Sequence, residues 1–537
     1  MTLGALLRPS RYAAFALCVL LLAAFVALTW LDPLNWIGVA VFAVLVVLGV
    51  FDMLQPHHSI LRNYPVIGHV RWIVELVRPE IRQYLIEGDE DASPFSRSQR
   101  SLVYERAKGE AGEHPFGTLL DVYRDGYEFI GHSTVPSVVA DPASFRITIG
   151  GEQCARPYSA SVFNISAMSF GSLSANAIRA LNAGAKRGGF SHDTGEGSIS
   201  PYHREMGGDI VWEVASGYFG CRTADGHFDP DRFAEQAQTD QIKMVEIKLS
   251  QGAKPGHGGV LPAAKVTAEI AKTRGVPMGR DCISPSRHSA FSTPLEMMAF
   301  ITQLRTLSGG KPVGFKLCIG HPWEFMAMVK AMLETGVLPD FVVVDGAEGG
   351  TGAAPTEFSD HVGMPMREGL LFVHNTLVGA GIREKLKLGV AGKIVSAFDI
   401  ASALAIGADW TNAARGFMFA LGCVQSVACN TNRCPTGIAT QDLGRQSALV
   451  VPDKAERVYR FHEQTLAALA QMLAAAGLDH PDQVKAHHLA RRLSATEIKL
   501  FSELHSFLKP GVLLDGTCPH SFYVENWQRA STATFSA

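Results

Sequence analysis

The sequence is short of several things, and each shortage removes a class of function. It has no excess of positive charge: 48 Lys and Arg stand against 51 Asp and Glu, for a net charge of −3. A nucleic-acid binder usually shows a basic excess, so no nucleic-acid partner is expected. Only 18% of residues are charged and 47% are hydrophobic, which is not the composition of a disordered or low-complexity chain. Nine cysteines, an odd and mostly scattered set, do not make a secreted disulfide framework. No clean G-x-G-x-x-G follows an apolar strand, which argues against a nicotinamide-binding Rossmann unit. No internal repeat is visible. Glycine is abundant instead, with 52 in 537 residues, as suits an α/β enzyme with backbone-lined loops.

The front end is apolar. Residues 12–31 run without a charge, about the length that crosses a bilayer as a helix. Asp32 and Pro33 break the run, and residues 36–51 form a second uncharged stretch. The second run follows at once, with no polar mature start between, so a two-helix transmembrane hairpin is expected rather than a cleaved signal peptide. Arg8 and Arg11 precede it, Arg62 and Arg71 follow it, and the connecting loop has no Lys or Arg. The positive-inside rule then puts both ends and the body in the cytoplasm, anchored to the inner membrane.

The organisation expected is a hairpin over 1–56, an N-terminal cytoplasmic segment over 57–156, a barrel over 157–450 and a helical C-terminal segment over 451–537. Residues 71–87 carry apolar side chains at helical spacing, an amphipathic helix. From about residue 157, short β-branched runs each end in a Gly/Ser/Thr-rich loop and a helical stretch. The runs are 161–165, 244–249, 313–318, 341–344, 393–395 and 410–413. Strands alternating with helices imply a parallel sheet. Polar loops at the strand C-termini imply an α/β fold of the (β/α)8 TIM-barrel type, with the site on that face; a doubly wound sheet is the alternative.

The strongest chemical motif is Cys423-x5-Cys429-x4-Cys434-Pro435. Three thiolates within twelve residues can wrap one inorganic cluster, and the Cys-Pro ending resembles iron–sulfur loops. Zinc prefers four ligands at shorter spacing. Three ligands suit a [3Fe–4S] cluster, or a [4Fe–4S] cluster with a labile iron. Asp345-Gly-Ala-Glu-Gly-Gly-Thr-Gly352 follows an apolar run and exposes backbone N–H groups to a flat or anionic ligand. Lys316 lies inside an apolar strand, where a lysine is costly unless paired. It either bridges to a core carboxylate or aims a cation into the barrel mouth. Lys254, in a Gly-rich loop, invites the same reading. Arg415 is a candidate phosphate clamp. The loop histidines His192, His203, His257 and His288 are given no catalytic role.

In order along the chain, SAMSFGSLS (166–174), TGEG (194–197), QGAKPGHGG (251–259), ISP (283–285), GFKL (314–317), GGTGAAP (349–355) and the three cysteines resemble the synthase domain of glutamate synthase. The resemblance covers residues 161–441. It implies a (β/α)8 barrel binding FMN beside a [3Fe–4S] cluster, and reduction of 2-iminoglutarate, formed from 2-oxoglutarate and ammonia, to L-glutamate. By resemblance, Ala167, Met168, Ser169 and Thr194 line the cofactor. Lys316, Glu196 and Gln251 face flavin and substrate, with Gln251 and Lys254 on the substrate. Gly349, Gly350 and Thr351 close the pocket, and Gly392, Ser396 and Arg415 hold the FMN phosphate. The glutaminase nucleophile of the full-length family, an N-terminal Cys, has no counterpart here, since Met1-Thr2 lead into the apolar run. The sequence therefore resembles the short, membrane-tethered members, usually called FMN-binding glutamate synthase family proteins.

A flavin takes single electrons and passes on a hydride, so the donor is expected to be a separate ferredoxin, reductase subunit or membrane-linked carrier. Ammonia is expected from solution or from an amidotransferase partner. Two other readings share the fold: an amino-group transferase acting on another amine such as methylamine with partner subunits, and a non-catalytic, membrane-tethered flavin/iron–sulfur relay.

Overall fold

The computed structural model describes residues 11–537 apart from 57, 92, 111 and 114. The chain forms two compact units, Met1–Arg97 and Ser98–Ala537. In the first, helices Ala13–Leu28 and Trp36–Leu54 lie against each other. Small residues let them approach: a Cβ on Gly38 would fall 2.3 Å from the Phe25 ring, and one on Gly49 2.2 Å from that of Phe15. Asp32 caps the turn between them by accepting from the Leu34 N–H at 2.9 Å. Pro33–Leu54, 22 residues, is long and apolar enough to cross a membrane; Ala13–Leu28 has 16 residues and falls short. The amphipathic helix expected at 71–87 is present as His69–Ile81, continued by a wider turn to Ile86.

In the second unit, eight parallel strands close into a barrel. They are β1 (Phe163–Ile165), β2 (His192–Asp193), β3 (Ile210–Val214), β4 (Ile242–Lys248), β5 (Val313–Leu317), β6 (Phe341–Asp345), β7 (Lys387–Ala391) and β8 (Trp410–Ala413). Each pairs with the next in sequence, and β8 closes on β1 through Thr411–Phe163, Asn412–Asn164 and Ala413–Ile165. The expected barrel is therefore the fold. One expected strand is not: residues 393–395 lie in the loop after β7. The strand is Lys387–Ala391 instead, whose glycine weakens its β signal. Gly389 is needed there, because a Cβ would fall 2.3 Å from the Trp410 indole. Strands β2 and β3 were not expected, the first for its two-residue length and the second because Glu213 interrupts its apolar run.

Successive strand residues face opposite ways, and β4 shows the interior in layers. Met244 joins an apolar cluster with Val211, Phe341, Val343 and Trp410. Two positions on, Glu246 meets Lys316, and two further, Lys248 meets Glu196. The apolar layer is sealed by Ile149, Tyr158 and Ala160, from an antiparallel hairpin of Arg146–Ile149 with Tyr158–Ser161. Each large apolar side chain buried here contributes roughly 1.5–3 kcal/mol. Only the layers nearer the strand C-termini are charged.

The helix after β1, α1 (Ala175–Gly188), packs along the 25-residue C-terminal helix Val451–Ala475. A Cβ on Gly184 would meet Val458 Cγ1 at 2.5 Å, so glycine sets this approach. Beyond that helix the segment is only partly helical. Leu489–Arg492 and Ile498–Leu500 form a three-stranded antiparallel sheet with Glu128–Ile130, a pairing too distant in sequence to read from either strand alone.

Candidate active site

The loops at the C-terminal ends of the strands converge closely, and glycine permits it. A Cβ on Gly252 would fall 1.7 Å from the Gly346 carbonyl, one on Gly195 2.7 Å from Ser169 N, and one on Gly259 1.9 Å from Glu196 Oε1. Gly195 also takes φ +60°, which L side chains rarely adopt. The loops after β1, β2, β4 and β6 thus form one surface.

At its centre lies Lys248, which sequence reasoning missed. Its Nζ donates to Glu196 Oε2 at 2.9 Å and to Gln251 Oε1 at 2.8 Å. Lys254, buried, lines the same cleft with Ser216, Ser250 and Ser286. Burial raises the Glu196 carboxyl, but Lys248, Arg274 and Lys254 more than offset this and hold it below the usual carboxylate range. Burial pushes the Lys254 ammonium down, only partly opposed by Glu196. Two expected residues, Glu196 and Gln251, therefore meet with Lys254 around a lysine that had not been singled out.

Lys316 is placed differently. It is 3% exposed, and its Nζ bonds Glu213, lies 3.0 Å from Glu246 Oε1 and 3.9 Å from Asp193 Oδ2. The strands β2, β3, β4 and β5 each contribute one member. Burial works against the Lys316 charge, yet Glu213, Glu246, Asp193 and Asp345 raise its pKa well above the ordinary value. Burial likewise raises the Asp193 and Glu246 carboxyls. Glu213 joins this cage to the cleft, lying 4.0 Å from Lys248 Nζ.

Of the other expected residues, Met168 is buried and Ala167 and Ser169 are half-buried beside Gly195. Thr194 Oγ1 accepts from Glu213 N at 3.1 Å and so ties β2 to β3. Gly350 and Thr351 are exposed on the loop after β6, and Gly349 is half-buried. Ser396 caps the helix Ala397–Ile406, accepting from Asp399 N at 3.1 Å. Gly392 follows β7, and Arg415 follows β8 with its guanidinium donating to the Glu348 carbonyl. Burial pushes Arg415 down to about 10. Lys393, also missed, is pushed down by burial and by Arg415.

Cys423, Cys429 and Cys434 share one loop, and a Cβ on Gly352 would lie 3.9 Å from that of Cys429. Three non-glycine residues there take left-handed backbone: Gln425, Val427 and Asn432, at φ 54°, 53° and 61°. Such strain gathers where a site dictates the backbone. Burial raises Cys423 to about 11 and also raises Cys429. At Cys434, hydrogen bonds from Thr436, Ala439 and Ile438 outweigh burial and lower the thiol. Backbone N–H groups aimed at sulfur suit a ligating thiolate.

Together these features define a barrel enzyme with a lysine-rich cleft and a cysteine loop at the C-terminal ends of its strands. Residues 140–479 match the model of the conserved region in glutamate synthase. The glutamate synthase large subunit-like protein YerD of Bacillus subtilis is 38% identical over 498 residues, 85% of this chain and 94% of that one. An archaeal-type glutamate synthase [NADPH] of Thermotoga neapolitana is 37% identical over 277 residues, 51% of each chain. The glutamate synthase [NADPH] large chain of Bacillus subtilis is 33% identical over 286 residues, 52% of this chain but 18% of its own length. The chain belongs to the glutamate synthase family and is an oxidoreductase of that type.

The acid cage makes a prediction about stability. Asp193 and Glu246 hold protons at pH values where an unfolded chain releases them, near 4. The native state then binds more protons than the unfolded one, so stability falls as pH rises above about 4 toward the folded pKa values. Lys316, with its raised pKa, contributes stability that persists below about pH 10. Glu246→Gln removes one of the two acids. Between pH 5 and 7 its unfolding free energy should rise relative to wild type, by at most about 1.4 kcal/mol per pH unit. Urea titrations at several pH values measure this, and parallel pH slopes would reject the raised carboxyl.

Proposed function

We propose that this chain reductively aminates 2-oxoglutarate, through 2-iminoglutarate, to L-glutamate, using FMN and an iron–sulfur cluster. The observation that carries the reading is the Lys248–Glu196–Gln251 cluster with Lys254 beside it. Two buried ammonium groups in one cleft suit the two carboxylates of a short dicarboxylic 2-oxo acid. Glu196, which stays ionised, accepts a hydrogen bond from ammonia as it adds to the carbonyl carbon and then faces the protonated imine nitrogen. Lys254, whose proton burial loosens, gives that proton to the departing hydroxyl, which leaves as water. The adduct nitrogen gives one proton to the carbonyl oxygen and keeps two as the protonated imine, so the step takes up one proton, which Lys254 regains from solvent.

The chain's residues fit both cofactors. Lys393 and Arg415 bring two cations together at the loops after β7 and β8, where barrels hold phosphate. Gly392 follows β7 beside them, where a Cβ would fall 2.6 Å from that of Met366, and Ala167, Met168, Ser169, Gly349, Gly350 and Thr351 are the residues that would flank the ring. Cys423, Cys429 and Cys434 supply a three-thiolate donor set of the [3Fe–4S] kind. FMN bound there would supply a hydride to the imine carbon, and the cluster would supply electrons one at a time from a separate donor protein. The apolar helices Ala13–Leu28 and Pro33–Leu54 tether the body to the cytoplasmic face of the inner membrane, a reading supported by the arginines that flank them.

With reductant and 2-oxoglutarate, label from [15N]ammonium should enter glutamate, whereas amide-labelled glutamine should give none in the absence of a partner. Label from glutamine alone would overturn the nitrogen source, and label from neither would overturn the substrate. Cys429→Ser should lose iron and acid-labile sulfide yet keep FMN. Zinc without sulfide in anaerobically purified wild type would rule the cluster out. Reporter fusions after residue 60 should report cytoplasm, and a periplasmic signal would reverse the topology.

A further inference from the structure

Lys265 ends a short turn, Ala263–Lys265, six residues after the QGAKPGHGG motif. It is 2% exposed. Its Nζ donates to the Ser172 carbonyl at 2.9 Å and to the Cys429 carbonyl at 3.1 Å. The first belongs to the loop after β1 and the second to the cysteine loop, so one ammonium joins the two. Among the described residues no carboxylate lies within 4.0 Å of it, although Lys248 and Lys316 each have one or more. The ionisable groups that act on it besides burial are the Cys429 and Cys434 thiols and the cation Arg274. Arg274 is also buried and donates to the Phe170 carbonyl at 3.0 Å.

A buried ammonium without a counter-charge is costly, and two backbone carbonyls do not neutralise it. Protonated thiols do not either. A cluster held by three thiolates carries the missing negative charge at the one place Lys265 faces. We propose that Lys265 is the counter-ion of the iron–sulfur cluster and a positioning residue that raises its reduction potential. The proposal rests on the cluster reading above. A nearby fixed positive charge favours the more negative, reduced state of a cluster, and its loss lowers the potential.

The test compares wild type, Lys265→Gln and Lys265→Arg as full-length protein purified without air. Iron and sulfide are assayed, and the cluster's midpoint potential is read by spectroscopically monitored redox titration, independent of turnover. Gln keeps a donor for one carbonyl but no charge; Arg keeps the charge. The expected result is a lower potential in Lys265→Gln and a near-wild-type one in Lys265→Arg. Loss of the cluster from Lys265→Gln alone would also support the role. Equal potentials in wild type and Lys265→Gln overturn it, as do equal shifts in both variants or cluster loss from both, which mark a packing role. Wild type without iron and sulfide overturns the cluster reading itself, a failure seen before any variant is made.

Discussion

The interior of the barrel depends on one buried ammonium. Asp193, Glu213 and Glu246 project inward from three adjacent strands, and Lys316 on the fourth is the cation that meets all three. Removed from water, three carboxylates so close together repel strongly, and burial adds several kcal/mol of desolvation per ion. The structure resolves this by drawing Lys316 among them and by favouring protonation of Asp193 and Glu246. These three carboxylates form a cation-binding geometry, and the chain's own lysine fills it. Strands β2 to β5 are thus locked in register by charge as well as by their ladders.

That cage also sets the height of the cleft above it. Lys248 and Lys316 are paired in the β4–β5 register, yet their side chains diverge. Lys316 turns to the acids and Lys248 to Glu196 and Gln251, with Glu213 between them. The Lys248 ammonium is thus held from below by charge and from the side by Gln251. The glycine-permitted crossings of Gly195, Gly252 and Gly259 bring the loops over this lysine without side chains in the way.

Much of this was legible in the sequence, for identifiable reasons. The barrel showed itself through apolar β-branched runs ending in polar loops, and β8 was read with its observed bounds, Trp410–Ala413. Charged interior residues hid other strands: Glu213 in β3 breaks an apolar pattern because the barrel interior at that level is ionic. The cysteines advertised themselves by spacing. Lys248 did not, since it ends a strand next to a motif that drew attention to Gln251 and Lys254. Lys316 was singled out for being costly, and the structure shows the first of the two readings offered for it: its ammonium is paired with core carboxylates. Lys265 was invisible because its partners, two carbonyls and a cysteine loop, are far from it in sequence.

The distribution of buried cations carries one more step. Lys248 and Lys316 have carboxylates beside them and belong to the protein's own electrostatic framework. Lys265 and Arg274, in contrast, are fully buried with no carboxylate within 4.0 Å among the described residues, and both hold the backbone of the loop after β1. Lys393 and Arg415 crowd one another at the loops after β7 and β8. Charge left uncompensated by a folded chain marks where an anion completes it. By that criterion the cysteine loop is the place for an anion, whereas at the β7–β8 corner Glu348 and Asp345 already offset part of the charge of Lys393 and Arg415. The proposed thiolate-bound cluster would be that anion at the cysteine loop, and the phosphate of a bound FMN would add negative charge at the β7–β8 corner. The cleft at Lys248 and Lys254 lies on the same face and would be a third anion position, for the proposed carboxylate substrate. A non-catalytic relay would need the first two positions alone. The third, with its ionised Glu196 and loosened Lys254 proton, is what favours an enzyme.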